Sequence, residues 1–270
     1  MERFELYSGD VILEYDDAEH LYSVSGEPVD FTGSMCQKYF PAPWAIPWGK
    51  KVMREAAIAE YKKFAREICE LLETGATVKT DIFLDEVRIK ELEKRLNAAT
   101  YIKSDRALLI GDLVHEFAHK WATGENPEVP VNEDAARACE AFQEQFWFEY
   151  EVEPIAAEQK VFSKKYNYAG TLDLDANTCY GRSIIDYKTT SNLRSYKAKP
   201  EYFSQCGGYA AAREEEGYGP YENILIVEID RESGDVRVNQ LTDVDSAFTS
   251  FRACMFNHRF AKNISATLKK

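Results

Sequence analysis

Two short segments joined by a turn constrain this chain more than any other feature. Residues 168–190 read YAGTLDLDANTCYGRSIIDYKTT. Leu172, Leu174 and Ala176 alternate with Thr171, Asp173 and Asp175, the period of a half-buried strand. Residues 183–188 are short, rich in isoleucine and preceded by Gly181, which predicts a second strand. Asn177, Thr178 and Gly181 supply turn chemistry between them. A hairpin centred on Cys179 and Tyr180 sets Asp173 directly opposite Asp186, with β-carbons roughly 4.5–5.5 Å apart. Lys188, two residues further on, projects from that same face. A slip of one residue would send these side chains to opposite faces.

The residue types carry a chemistry. Hard divalent cations such as Mg²⁺ or Mn²⁺ prefer oxygen ligands and keep several waters. Such an ion activates water and offsets charge on a phosphate, so paired carboxylates suit phosphodiester hydrolysis. A lysine beside them can orient the water or stabilise developing negative charge. Asp186-Tyr187-Lys188 by itself is more often an ion pair on a solvated strand face, because short motifs match by chance. The strand from Gly170 to Asp173, in matching register, is what favours the catalytic reading.

The segment resembles the PD-(D/E)XK nuclease superfamily, in its RecB-like, phage-type exonuclease branch. Members show a Glu-bearing strand, then "aGtlDl", then "iiDyKT", then a helix with Gln and Tyr four apart. Here the matching residues are Glu158, Ala169 to Leu174, Ile184 to Thr189, and Gln205 with Tyr209. The family also carries a histidine on an upstream helix, and Gly111-Asp112-Leu113-Val114-His115-Glu116 is similar to that element. His20-Leu21-Tyr22, a glycine turn, then Phe31-Thr32 is similar to the opening of phage-borne members. The resemblance implies that His115, Asp173 and Asp186 bind Mg²⁺ or Mn²⁺ and that Lys188 is the catalytic lysine. Glu158 is either a further catalytic residue or an ordinary acid at a strand start. Gln205 and Tyr209 share a helical face. Gly207 and Gly208 between them favour close approach of a nucleic-acid backbone or the sheet, or simply tight helix packing. The expected fold is α/β, a restriction-endonuclease-like core with a mixed central sheet flanked by helices, plus an N-terminal hairpin and a helical lobe. The expected partner is DNA. Exonuclease activity, a role in phage recombination or genome processing, and a recombination partner protein follow from the resemblance alone. A catalytically silent nucleic-acid-binding member of the same fold is one alternative.

A rival motif overlaps the first. His115-Glu116-Phe117-Ala118-His119 is a literal H-E-x-x-H, in which two histidines at i and i+4 hold Zn²⁺ in metalloproteases. A zinc site needs a third ligand, for which Glu140 or Glu144 is available. That reading leaves residues 170–188 without a purpose.

Charge and composition set outer limits. The net charge is −13, which argues against a polyanionic partner. Its distribution argues the other way: residues 160–199 hold eight cations and three acids, while residues 125–158 are acidic with Arg137 as the one cation. Lys164, Lys165 and Arg194 in the basic stretch are candidates for nucleic-acid contact. The six cysteines are scattered, with no C-x-x-C pair, so they are expected as thiols rather than disulfides. Some CRISPR-associated relatives in the resembled family carry an iron–sulfur cluster on clustered cysteines. That spacing is missing here, and no iron–sulfur cluster is expected. With neither an apolar run of about 18 residues nor a secretory leader, a cytoplasmic protein without membrane contact is expected.

The chain reads as one elaborated nuclease domain over residues 1–270. Residues 1–42 form an N-terminal hairpin (11–15 and 21–24) and lead-in, and 43–124 a helical lobe carrying the histidine motif. Residues 125–270 form the α/β catalytic core. In the lobe, helices are expected over 52–72, 84–96 and 108–121, with Gly75 separating the first two and Phe117 and Trp121 on a core-facing side. A helix capped by Asn132 runs towards Tyr150. Strands follow at 156–162, 168–176, 183–188, 224–229 and 236–241, with helices at 202–215 and 244–260.

Overall fold

The computed structural model describes residues 1–40, 45–73, 86–194 and 197–268. The chain divides into two compact units, Met1–Phe40 with Ile110–Lys270, and Pro41–Leu109. The His115 segment therefore belongs with the sheet and not with the helical unit.

The larger unit is built on a nine-stranded mixed sheet flanked by helices, the α/β architecture expected, consistent with a restriction-endonuclease-like fold. The N-terminus contributes more than a hairpin. β1 (Glu2–Leu6), β2 (Val11–Asp16), β3 (Leu21–Val24) and β4 (Glu27–Phe31) form an antiparallel meander. It closes over β5 and β6 through Leu13, Tyr15, Tyr22, Phe162 and Ala169. α1 (Thr32–Tyr39) follows. β5 (Glu153–Ser163), β6 (Tyr168–Thr178), β7 (Gly181–Thr190), β8 (Asn223–Asp230) and β9 (Val236–Leu241) make the central part. β7 and β8 pair in parallel, and β8 is buried along its whole length. Its sequence NILIVEID is the near-continuous apolar run that a strand covered on both faces requires.

Helices cover both faces. On one side lie the end of α3 (Glu86–Ala122), α4 (Glu133–Phe142) and a π-helical turn Gln143–Trp147, packed on Leu174, Ile185 and Leu225. These three side chains are fully buried in register across three strands. Truncating any one to alanine should cost roughly 2–5 kcal/mol. On the other side α1, α5 (Pro200–Glu215) and α6 (Val244–Leu268) pack on Leu172, Ile184 and Ile226. Gly207 lets α6 approach: a Cβ there would sit 2.5 Å from the backbone of Ala247 and Phe248. The glycine pair thus serves helix–helix packing. Asn132 caps α4 as expected, its side chain accepting from the N–H groups of Asp134 and Ala135. That helix ends at Phe142 and passes into the π turn before Tyr150.

The smaller unit holds α2 (Ala45–Glu73) and the first part of α3. The ion pairs Arg95–Glu60 at 3.1 Å and Lys103–Glu55 at 2.9 Å tie the two helices. The helices expected over 84–96 and 108–121 are one continuous α3, because no glycine or proline interrupts residues 86–110. The expected break at Gly75 lies outside the described residues. Among those described, no helix is long and apolar enough to cross a membrane. All six cysteines are free, four of them buried.

Candidate active site

The hairpin register is the one the turn chemistry implies. Pairing runs from Thr178 opposite Gly181 to Leu174 opposite Ile185. One more step along this register sets Asp173 against Asp186. The ladder stops there because the Asp173 carboxylate itself accepts the Tyr187 N–H at 2.8 Å. On that edge β6 pairs with β4 at Tyr168 and Ala169 and with β7 only from Leu174 onwards. Residues 170–173 therefore line a gap between two ladders, and Asp173 sits at its end.

Both β5 and β6 change face at this point. Leu172 joins the cluster under α5 and α6, whereas Leu174 and Ala176 join the opposite one. On β5, Ala157 packs on the Leu174 side and Val161 under α5 and α6. Glu158 lies between them with φ +49°, in the left-handed region that non-glycine residues rarely occupy. A left-handed residue inside a strand re-aims its side chain, at a backbone cost of order 1–3 kcal/mol. The half-buried alternation read from the sequence is thus broken, and Asp175 is fully buried instead of facing solvent.

His115 completes the group from α3. Its Nδ1 lies 3.8 Å from a Glu158 oxygen and 3.7 Å from Asp173 Oδ2. One ligand atom from each of the three residues falls within 4.8 Å of the others. Its Nε2 is 3.2 Å from the Tyr187 carbonyl, which can only accept, so Nε2 carries the proton. Nδ1 is turned towards two carboxylates, which hold a proton on it while no cation is present; loss of that proton would free its lone pair for a metal. A histidine fixed by a backbone carbonyl on its far nitrogen is a recurrent way to orient a metal ligand. Cis ligand atoms on an octahedral Mg²⁺ stand about 2.9 Å apart, so the three groups would draw together by roughly 1 Å around an ion. Two carboxylates and one imidazole make a donor set that could hold a divalent metal ion.

Asp186 and Lys188 lie alongside. Asp186 Oδ2 and Lys188 Nζ are 2.5 Å apart, and Nζ also donates to the Tyr187 carbonyl at 3.1 Å. The ammonium sits 5.0 Å from the centre of the Tyr202 ring. Asp186 is thus held by the lysine, outside the three-residue group with His115. Burial pushes the Asp186 carboxyl up and neighbouring Asp173 adds to this, against the pull of Lys188. Burial disfavours the Lys188 ammonium, but Asp186 and Asp173 outweigh it and hold the pKa above the ordinary lysine value. Burial likewise acts to lower His115, yet Asp173 and Glu158 raise it to about 9.

The remaining sequence candidates fall elsewhere. Gln205 donates to the Tyr209 hydroxyl, and Tyr209 is 2% exposed, its ring filling the space left by Gly170. Tyr209 is a packing residue between helix and sheet. Lys164 and Lys165 lie on the β5–β6 turn, over the rings of Tyr7 and Tyr166. Five residues of strand, roughly 16 Å, separate that turn from Asp173. Arg194 is exposed in the loop after β7. The basic stretch is therefore dispersed: Lys160 covers Tyr15, and Arg182 pairs with Asp175. His119 has no place in the cluster, and Glu116 is exposed and paired with Lys120. The zinc-protease arrangement is not formed among the described residues. Tyr187 is a participant the sequence did not single out, since its carbonyl holds both His115 and Lys188; only backbone geometry shows this.

Comparison with known proteins finds no matching family model and no matching curated protein. Among solved structures, the chain is similar to the crystal structure of LHK-Exo in complex with dAMP, with a TM-score of 0.30 and 14% identity. The match covers 53% of this chain and 80% of that one. A likeness of this size carries no argument about the site.

Proposed function

We propose that this chain is a divalent-metal-dependent DNA nuclease that hydrolyses phosphodiester bonds. The observation that carries the reading is the convergence of His115 Nδ1, Glu158 and Asp173 within 4.8 Å, beside the Asp186–Lys188 pair. His115, Glu158 and Asp173 would hold Mg²⁺ or Mn²⁺, with Asp186 adjoining. A divalent cation there supplies charge compensation at a phosphate and makes neighbouring water more acidic.

The chain's own residues do the rest. The Tyr187 carbonyl fixes the His115 ring and receives one Lys188 proton, so both groups are set by a single backbone atom. Lys188, kept as an ammonium by Asp186, has one donor left to hold a water or a phosphate oxygen. Fixed donors of this kind act where charge develops, without reorganisation. Digestion from an end, a role in phage recombination or genome processing, and a recombination partner protein extend this reading through the family resemblance.

The test is degradation of end-labelled linear DNA beside a closed circle, with Mg²⁺, Mn²⁺, Zn²⁺ or EDTA, for the native protein and Asp186→Ala. Loss of the linear form alone, with Mg²⁺ or Mn²⁺ and intact Asp186, is the expected result. Cutting of the circle would keep the chemistry and make the protein an endonuclease. No cleavage of single- or double-stranded DNA in any condition would sink the proposal and leave a binding role.

A further inference from the structure

The outer face of α6 carries a stripe the fold does not use. Phe256, Phe260, Ile264 and Leu268 recur every fourth residue and are 69, 58, 44 and 80% exposed. The Phe256 and Phe260 rings stack, with centroids 6.4 Å apart and planes 11° from parallel. They border a groove of about 590 Å³ shared with Tyr166, Arg252, Arg259 and Asn263. No acid lines it among the described residues, on a chain with 46 acidic residues and a net charge of −13. The Arg252 guanidinium lies 5.7 Å from the Tyr166 ring centre, and the Lys165 ammonium 5.0 Å from the same centre. Arg259 donates to Asp30 at 2.9 Å and to the carbonyls of Tyr166 and Asn167 at 2.7 and 2.8 Å. It thereby locks the turn bearing Lys165 and Tyr166 against α6.

We propose that this groove binds a single strand of nucleic acid, with bases on Phe256 and Phe260 and phosphates facing Arg252 and Lys165. Exposed rings beside a cationic track are what sequence-tolerant strand binding uses, because every base has a face to stack. Positive charge gathered on an otherwise acidic chain complements a polyanion. A second copy of the chain fits less well, since a two-fold pairing would turn this cationic face on itself. The choice of polymer rests on the nuclease reading, but the groove shares no residue with the His115–Lys188 cluster.

The experiment is fluorescence anisotropy of a labelled oligothymidylate with the Asp186→Ala protein, in EDTA, over a series of salt concentrations. Phe256→Ala/Phe260→Ala should weaken binding by roughly tenfold or more. Arg252→Glu should weaken it several-fold and flatten the salt dependence. Both variants change exposed side chains, and unaltered melting temperatures would confirm intact folding. Equal affinity of the variants and their parent, or no binding by the parent, overturns the proposal. So does a parent that sediments as an oligomer and becomes monomeric on the double substitution, which would make the stripe a self-association surface. Asp186-dependent cleavage with groove variants that bind normally would sink the groove alone. Groove-dependent binding without any cleavage would sink the nuclease reading alone.

Discussion

Asp173 and Asp175 sit two residues apart on β6 and are treated in opposite ways. Asp175 is fully buried and receives Arg182 at 2.8 and 2.9 Å, Arg213 at 3.2 Å and the Tyr221 hydroxyl at 2.8 Å. Arg182 and Arg213 face Asp175, and Glu216 shares Arg213 at 3.5 Å, so the charges are matched. Around Asp173 the balance tips towards acids. Glu158, Asp173 and Asp186 gather about one lysine and one imidazole, and the Asp173 side chain stays 12% exposed. Burial alone does not separate a functional acid from a structural one; the local count of opposing charge does. Matched charge marks a tie between elements, and an excess of acids marks a place for a cation from solution.

Substitutions at the two ends should therefore differ in kind. The largest effect is expected from Lys188→Ala, a fall in cleavage rate of roughly 10²–10³-fold in protein that is still folded. Some stability should also be lost, because the buried Asp186 is left without its lysine. Steady-state kinetics below the melting temperature of the variant checks this, and an unchanged rate in folded protein would make Lys188 merely structural. Asp175→Ala should instead lower stability by about 3–5 kcal/mol, because it leaves the buried Arg213 with Glu216 at 3.5 Å as its remaining acid. Urea unfolding measures that, and an unchanged midpoint would contradict the matched network.

The acid excess also has a pH signature. With its pKa raised to about 9, His115 is protonated at neutral pH when no cation is bound. Its contribution to stability is then complete below about 6.5 and disappears as pH rises through about 9. Binding of Mn²⁺ at pH 7 should release about one proton, and affinity should rise about tenfold per unit of pH towards 9. Calorimetry in buffers of different ionisation enthalpy reads the proton count. Binding without proton release would place the ion away from His115. The smallest effect is expected from His119→Ala, which should leave cleavage within about twofold, since His119 lies outside the cluster. Loss of activity in that variant alone would revive the zinc arrangement.

Much of this was legible from local pattern. Thr178 and Gly181 define the turn, and the turn fixes a register that runs to Leu174 opposite Ile185, one pair short of Asp173 and Asp186. Strand and helix order from β5 to α6 follows from periodicity and from Pro200 at the first turn of α5. What escaped depends on distance or on backbone geometry. Arg213 and Tyr221 reach Asp175 from 38 and 46 residues away, so nothing near Asp175 announces its burial. Glu158 is re-aimed by a left-handed backbone conformation without glycine to signal it, and its place in the group could not be read from alternation. β1 and β4 extend the expected hairpin into a meander because β4 adds in parallel to β6, a non-local pairing. Tyr209 carries the expected helical spacing, but which face of α5 meets the sheet is decided by Gly170.

The most direct measurement is an anomalous difference map from crystals soaked in Mn²⁺. A peak bounded by His115 Nδ1, Glu158 and Asp173, lost in the Asp173→Asn protein, is the expected result. A map with no peak there at saturating Mn²⁺, or with its ion between His115 and His119, would contradict the assignment of this acid-rich end of the hairpin as the catalytic centre.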